Sequence, residues 1–130
     1  MNAKRVIGGP LTIGGRKLSL SRAIQAGGFV FVTGQIPFKD GQVMTTGTVE
    51  EQTRAVLEEI KATLAQAGCG LSDVVKAMVW LRDRADFPGF NAVYAEYFPH
   101  EPPARSAVIS ELLVDVRVEV EVIACMPSND

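Results

Sequence analysis

The sequence predicts an α+β domain in which two helices pack on one face of a mixed β-sheet. The elements follow the order hairpin, helix, strand, helix, two strands, which suits helices gathered on one side of a sheet. One long segment repeats apolar residues at helical spacing with charges opposite, and "FVFV", "VVKAMVW" and "VEVEVIACM" carry apolar residues toward both faces. At 130 residues the chain is read as a single domain over 1–130, large enough to bury a core without disulfides.

The first element is the hairpin in "AIQAGGFVFVTGQIPF": Ala23 to Ala26, a turn at Gly27-Gly28, then Phe29 to Ile36. "DGQ" at 40–42 marks another turn, and the pairs Gly8-Gly9 and Gly14-Gly15 read as turn glycines. Neither glycine pair continues as GK[ST] or forms GxGxxG, so no nucleotide loop is supported. Thr48 and Glu51 have the spacing of a capping box and open the main helix. Val49, Val56, Ile60, Leu64 and Ala67 form its apolar face, and Gly68 ends it. In "SDVVKAMVWLRD", Val75, Ala77, Val79 and Leu81 alternate against Val74, Lys76, Met78 and Trp80, as in a strand apolar on both faces. A second helix is expected over Phe87 to Phe98, with Pro88 in its first turn and Phe90, Val93, Tyr94 and Tyr97 facing inward. The last strands are expected at Arg105 to Ser110 and Val116 to Met126.

Two helices cover only one sheet face. The other would expose an extensive apolar patch, which predicts a homo-oligomer with bare sheet faces packed together. The net charge of −2, with Lys and Arg scattered, offers no field for a phosphate backbone, so no nucleic-acid partner is expected. No segment reads as a membrane span, and "MNAKRVIGGPLTIGG" lacks the apolar run of a secretory signal, so a cytoplasmic protein is expected. Cys69 and Cys125 have no CxxC spacing, and one imidazole, His100, assembles neither a zinc site nor a Ser-His-Asp set, so no metal is expected.

The residue that does not fit its surroundings is Arg105, at the head of a strand in "EPPARSAVIS". It can pair with a surface carboxylate, as arginines at sheet ends often do. The small or rigid neighbours Pro103, Ala104, Ser106 and Ala107 also leave room for a ligand carboxylate held by two parallel hydrogen bonds. In "VRVEVEVIA", Val116, Val118, Val120 and Val122 line one face and Arg117, Glu119 and Glu121 the other. Those carboxylates either face solvent or reach a cleft, where desolvation would raise a glutamate pKa toward neutrality. Gly34 interrupts a good strand, as a glycine does at a bulge or a close backbone approach. Asn91 reads as a polar position on the second helix.

Taken together, "TGQIP", "EEQTRAVLEEIKATLAQAG", "DVVKAMVWLRD", "DFPGFNAVYAEYF", "PPARSAV" and "VEVEVIA" resemble, in order and spacing over about residues 21 to 125, the Rid (reactive intermediate deaminase, YjgF-type) family. The resemblance implies a chorismate-mutase-like α+β fold, a homotrimer with ligand clefts between subunits, and no metal or organic cofactor. It also implies hydrolysis of enamines and imines of the 2-aminoacrylate type to 2-keto acids and ammonia, with a small 2-imino or 2-keto acid as ligand. Carried over by position, Arg105 binds the substrate carboxylate and Glu119 handles the water or proton, while Asn91 and the backbone of Gly34 line the pocket. The chain departs from the family at Leu20, where a pocket tyrosine is common, and at Ala107, where many members have cysteine. Leu20 leaves open a pathway-specific deaminase of a larger, aminomuconate-type enamine. A non-catalytic trimer that binds small carboxylates is the other alternative.

Overall fold

A computed structural model of the chain describes residues 3–128. Strands β1 (Arg5–Ile13), β2 (Arg16–Ala26) and β3 (Phe29–Gln35) form an antiparallel meander, and β4 (Phe38–Lys39) with β5 (Gln42–Val43) makes a small separate ribbon. Helix α1 (Val49–Gln66) leads to β6 (Val74–Leu81), then α2 (Phe87–Tyr97), β7 (Ala104–Ile109) and β8 (Val118–Cys125). The six-stranded sheet has the order β1-β2-β3-β8-β6-β7, parallel between β6 and β7 and antiparallel elsewhere.

Helix α1 starts where its capping box forms. The Thr48 hydroxyl accepts from the Glu51 N–H, and the Glu51 carboxylate accepts from the Thr48 N–H. The helix ends before Gly68, at φ +82°, a conformation that costs glycine little. Its buried Val56, Leu57, Ile60 and Leu64 meet Val30 and Val32 of β3 and Val118, Val120 and Val122 of β8 in one core. That packing assigns the sheet its faces. Across the strands, Ile7, Ala23, Val32, Val122, Ala77 and Arg105 pair in register on the helix side. Among the described residues no helix covers the opposite face, which displays Phe29, Phe31 (44% exposed) and Val108. The apolar bare face expected from the sequence is therefore present.

Several boundaries differ from the sequence expectation, each for a physical reason. The N-terminal segment forms β1, and Gly8-Gly9 lie inside it rather than in a turn, at irregular pairing between Ile7 and Pro10; Gly14-Gly15 do turn, between β1 and β2. The second strand begins at Arg16 rather than Ala23, because β1 gives its outer half a partner. Val75 does not share the buried face of Ala77. A register shift between Val74 and Lys76 buries Val74 instead and leaves Val75 exposed. Helix α2 stops at Tyr97 with Phe98 as its cap, since Pro99 disfavours a helical residue before it. Tyr97 is only partly buried, and its hydroxyl donates to Glu58 at 2.7 Å. The last two strands run Ala104–Ile109 and Val118–Cys125, a residue or two away from the expected bounds.

Candidate functional site

Glu119 lies on β8 between buried Val118 and Val120, so strand alternation turns its side chain toward the bare face. Across from it, β3 bulges between Val32 and Gln35, and Gly34 sits in that bulge. A Cβ at Gly34 would stand 2.3 Å from Glu119 Oε2, so only a glycine admits the carboxylate in this position. Burial, followed by the charge of Glu121, raises the Glu119 pKa above its ordinary value. Glu119 and Gly34 share a cleft of ≈ 190 Å³ with Leu20, the β1–β2 hairpin residues Leu11 and Ile13, and Leu113 from the β7–β8 connection. Leu113 is fully exposed yet lines this cleft.

Arg105 occupies a different place. Its register partner on β6 is Ala77, a core residue, so Arg105 emerges on the helix side of the sheet. There its guanidinium carbon lies 4.7 Å from the ring centroid of Tyr94, 5.6 Å from Phe90 and 5.8 Å from Phe87. No carboxylate of the described residues pairs with it, so the surface ion pair that the sequence left open does not form. The Tyr94 hydroxyl, buried beside this cation, has no hydrogen-bond partner among the described residues. Asn91, half-buried, lies one helical turn from both Phe87 and Tyr94 on α2. Ala107 follows Arg105 on the same side of β7 and lines a second cleft of ≈ 170 Å³ with Phe87 and Arg84.

The residues singled out from the sequence thus fall into two groups. Gly34, Leu20 and Glu119 share one cleft; Arg105, Asn91 and Ala107 cluster near α2. Arg105 and Glu119 leave opposite faces of one sheet, on strands separated by β6. Arg117, expected beside Glu119, is engaged at the sheet end: its guanidinium donates to Asp86 at 3.0 Å and its N–H to Gln52 Oε1 at 2.7 Å. The aromatic support of Arg105 was missed because Phe87, Phe90 and Tyr94 have helical spacing, which reads as core. The hairpin wall of the Glu119 cleft was missed with β1, although "TIGGRKLSL" has glycines between alternating apolar residues. Among the described residues no group of His, Cys, Asp and Glu is arranged to hold a metal ion. No helix among the described residues is long and apolar enough to cross a membrane.

Residues 16–126 match the family model described as Endoribonuclease L-PSP. The chain is 51% identical over 107 residues to a RutC family protein of Pyrococcus horikoshii, covering 80% of this chain and 84% of that one. It is 42% identical over 104 residues to the 3-aminoacrylate deaminase RutC of Acinetobacter baylyi, covering 78% and 82% of the two chains. Among solved structures, yeast Mmf1 superposes with a TM-score of 0.87 at 33% identity, covering 96% of this chain and 100% of that one. A protein of the same name from Saccharomyces cerevisiae is described as mitochondrial.

Proposed function

The chain belongs to the endoribonuclease L-PSP (YjgF/Rid) family, and from that membership we propose that it is a cytoplasmic enamine/imine deaminase. Its substrates are small reactive 2-imino acids of the 2-aminoacrylate type, hydrolysed to 2-keto acids and ammonia without a metal or organic cofactor. The observation that carries this reading is the presence, at the family's motif positions, of both an arginine free of any described carboxylate and a partly desolvated glutamate. A relative named as a 3-aminoacrylate deaminase supports the chemistry.

The two groups divide the work. Arg105 offers a planar fork of donors to the substrate carboxylate and so orients C2 of the imine. Glu119 takes a proton from water as its oxygen attacks C2 and returns it to nitrogen, giving a carbinolamine; it then relays the hydroxyl proton to the amino group, so that the C–N bond breaks, ammonia departs and the keto group forms. A pKa raised by burial suits both steps, because it makes the Glu119 carboxylate a stronger base toward water.

Arg105 and Glu119 face opposite ways within a protomer, so one protomer's Arg105 is paired with the Glu119 cleft of the next. Contact between two different patches of one chain is head-to-tail, and such contacts close into a ring when the rotation between neighbours closes. The proposed assembly is a homotrimer with three clefts between subunits, one domain per chain, which also covers the apolar sheet face. The apolar lining around Leu20 favours a second reading, in which the substrate is a larger enamine of the aminomuconate type. The deciding assay generates 2-aminoacrylate in solution and follows keto-acid formation. Acceleration that disappears in Arg105→Ala supports the proposal. Preference for a longer enamine selects the second reading, and keto-acid binding without turnover of any imine would leave only a carboxylate-binding trimer.

A further inference from the structure

Arg105 is held differently from the four arginines that form ion pairs among the described residues. Arg22, Arg54, Arg82 and Arg117 each face a carboxylate, from Glu59, Glu96, Asp115 and Asp86 respectively. Arg105 instead lies against three ring faces on successive turns of α2. The difference is chemical. A carboxylate partner cancels the charge and occupies the donors of the fork, whereas a ring attracts the cation through its quadrupole and accepts none of the in-plane N–H groups in a strong hydrogen bond.

We propose that Phe87, Phe90 and Tyr94 are positioning residues for Arg105: they hold the guanidinium by their π faces and so keep its N–H donors for a ligand carboxylate. The proposal rests on the reading of Arg105 as the substrate anchor. The three rings do not contribute alike. Phe90 and Tyr94 are buried, belong to the core and pack on each other at 5.4 Å. Phe87 is 38% exposed, so packing accounts for little of its placement. Its ring borders the cleft that also contains Ala107, with the guanidinium at 5.8 Å. An apolar side chain of similar size at 87 would fill that space and leave Arg105 without the ring.

The test is a double-mutant cycle read by calorimetric binding of 2-oxobutanoate and by KM and kcat in the deaminase assay. Phe87→Leu is expected to weaken binding roughly 2- to 5-fold, the scale of one exposed cation–π contact, and to raise KM with kcat little changed. Phe87→Tyr restores affinity, because it restores a ring. In an Arg105→Ala background, Phe87→Leu is expected to add nothing. Equal losses in both backgrounds, or no loss with Arg105 present, would overturn the proposal. Should Arg105→Ala itself leave 2-oxobutanoate binding intact, the substrate-anchor reading fails, a result distinct from failure of the cradle alone.

Discussion

The two ends of the candidate site treat charge in opposite ways. At Arg105 the fold leaves a cation without a described carboxylate and supports it with aromatic faces on an edge strand. At Glu119 it presses a carboxylate against the backbone of Gly34 on an interior strand, where burial favours its neutral form. In the proposed function one end holds an anion that arrives from outside, and the other exchanges a proton. The contrast teaches how binding and chemistry can be assigned to separate parts of one chain, to be joined in the proposed assembly where protomers meet.

The strongest way to break this contrast is at the proton end. Glu119→Gln keeps the shape but removes the base, and kcat is expected to fall by about 10²- to 10⁴-fold with KM nearly unchanged. A rise in KM alone would assign Glu119 to binding. Arg105→Ala should do the reverse. Loss of a charge-assisted contact worth about 1.5–3 kcal/mol corresponds to KM rising roughly 10- to 150-fold, and a drop confined to kcat would contradict the anchor. Gly34→Ala sharpens the comparison, because its methyl group must displace the Glu119 carboxylate. Here kcat is expected to fall by up to about a hundredfold while the melting temperature changes little, since the atom that yields is the tip of a side chain. Unfolding instead of inactivation would show that the bulge, not the carboxylate, requires glycine.

The smallest expected effect is on stability. The folded chain retains a proton on Glu119 above the pH at which the unfolded chain releases it, so this group lowers stability as pH rises from about 4.5 through its raised folded pKa. In Glu119→Gln that loss is absent. Thermal melts should therefore show the variant gaining on the parent protein between acid and neutral pH, and a constant difference across that range would contradict the raised pKa.

Much of the fold was legible because local chemistry decided it. Thr48 with Glu51, Gly68, and the alternation of Val118, Val120 and Val122 specify a helix start, a helix stop and a buried face without help from distant residues. Strand β1 was not, since Gly8, Gly9 and Pro10 break its alternation and only pairing with β2 makes it a strand. For the candidate site, the sequence names residues to consider but not their arrangement. Sequence spacing places Arg105 and Glu119 each on one side of its own strand. Which side of the common sheet each one faces depends on the parallel register of Arg105 with Ala77 and on the helices that bury Ala77. Likewise nothing local shows that the rings of α2 support a cation, because Phe87, Phe90 and Tyr94 have the spacing of a core stripe.

The most direct test of the divided site is complementation between two variants, each impaired at substrate concentrations near the parent KM. Arg105→Ala and Glu119→Gln chains, co-expressed with different tags and purified through both, combine into mixed assemblies in which some clefts receive an intact Arg105 from one protomer and an intact Glu119 from its neighbour. In a head-to-tail trimer that contains both variants, one cleft in three is complete, so about a third of the clefts are restored. The account predicts that about this share of the parent activity returns in the mixed assemblies, with the parent KM. Mixed assemblies no more active than either variant alone would contradict it.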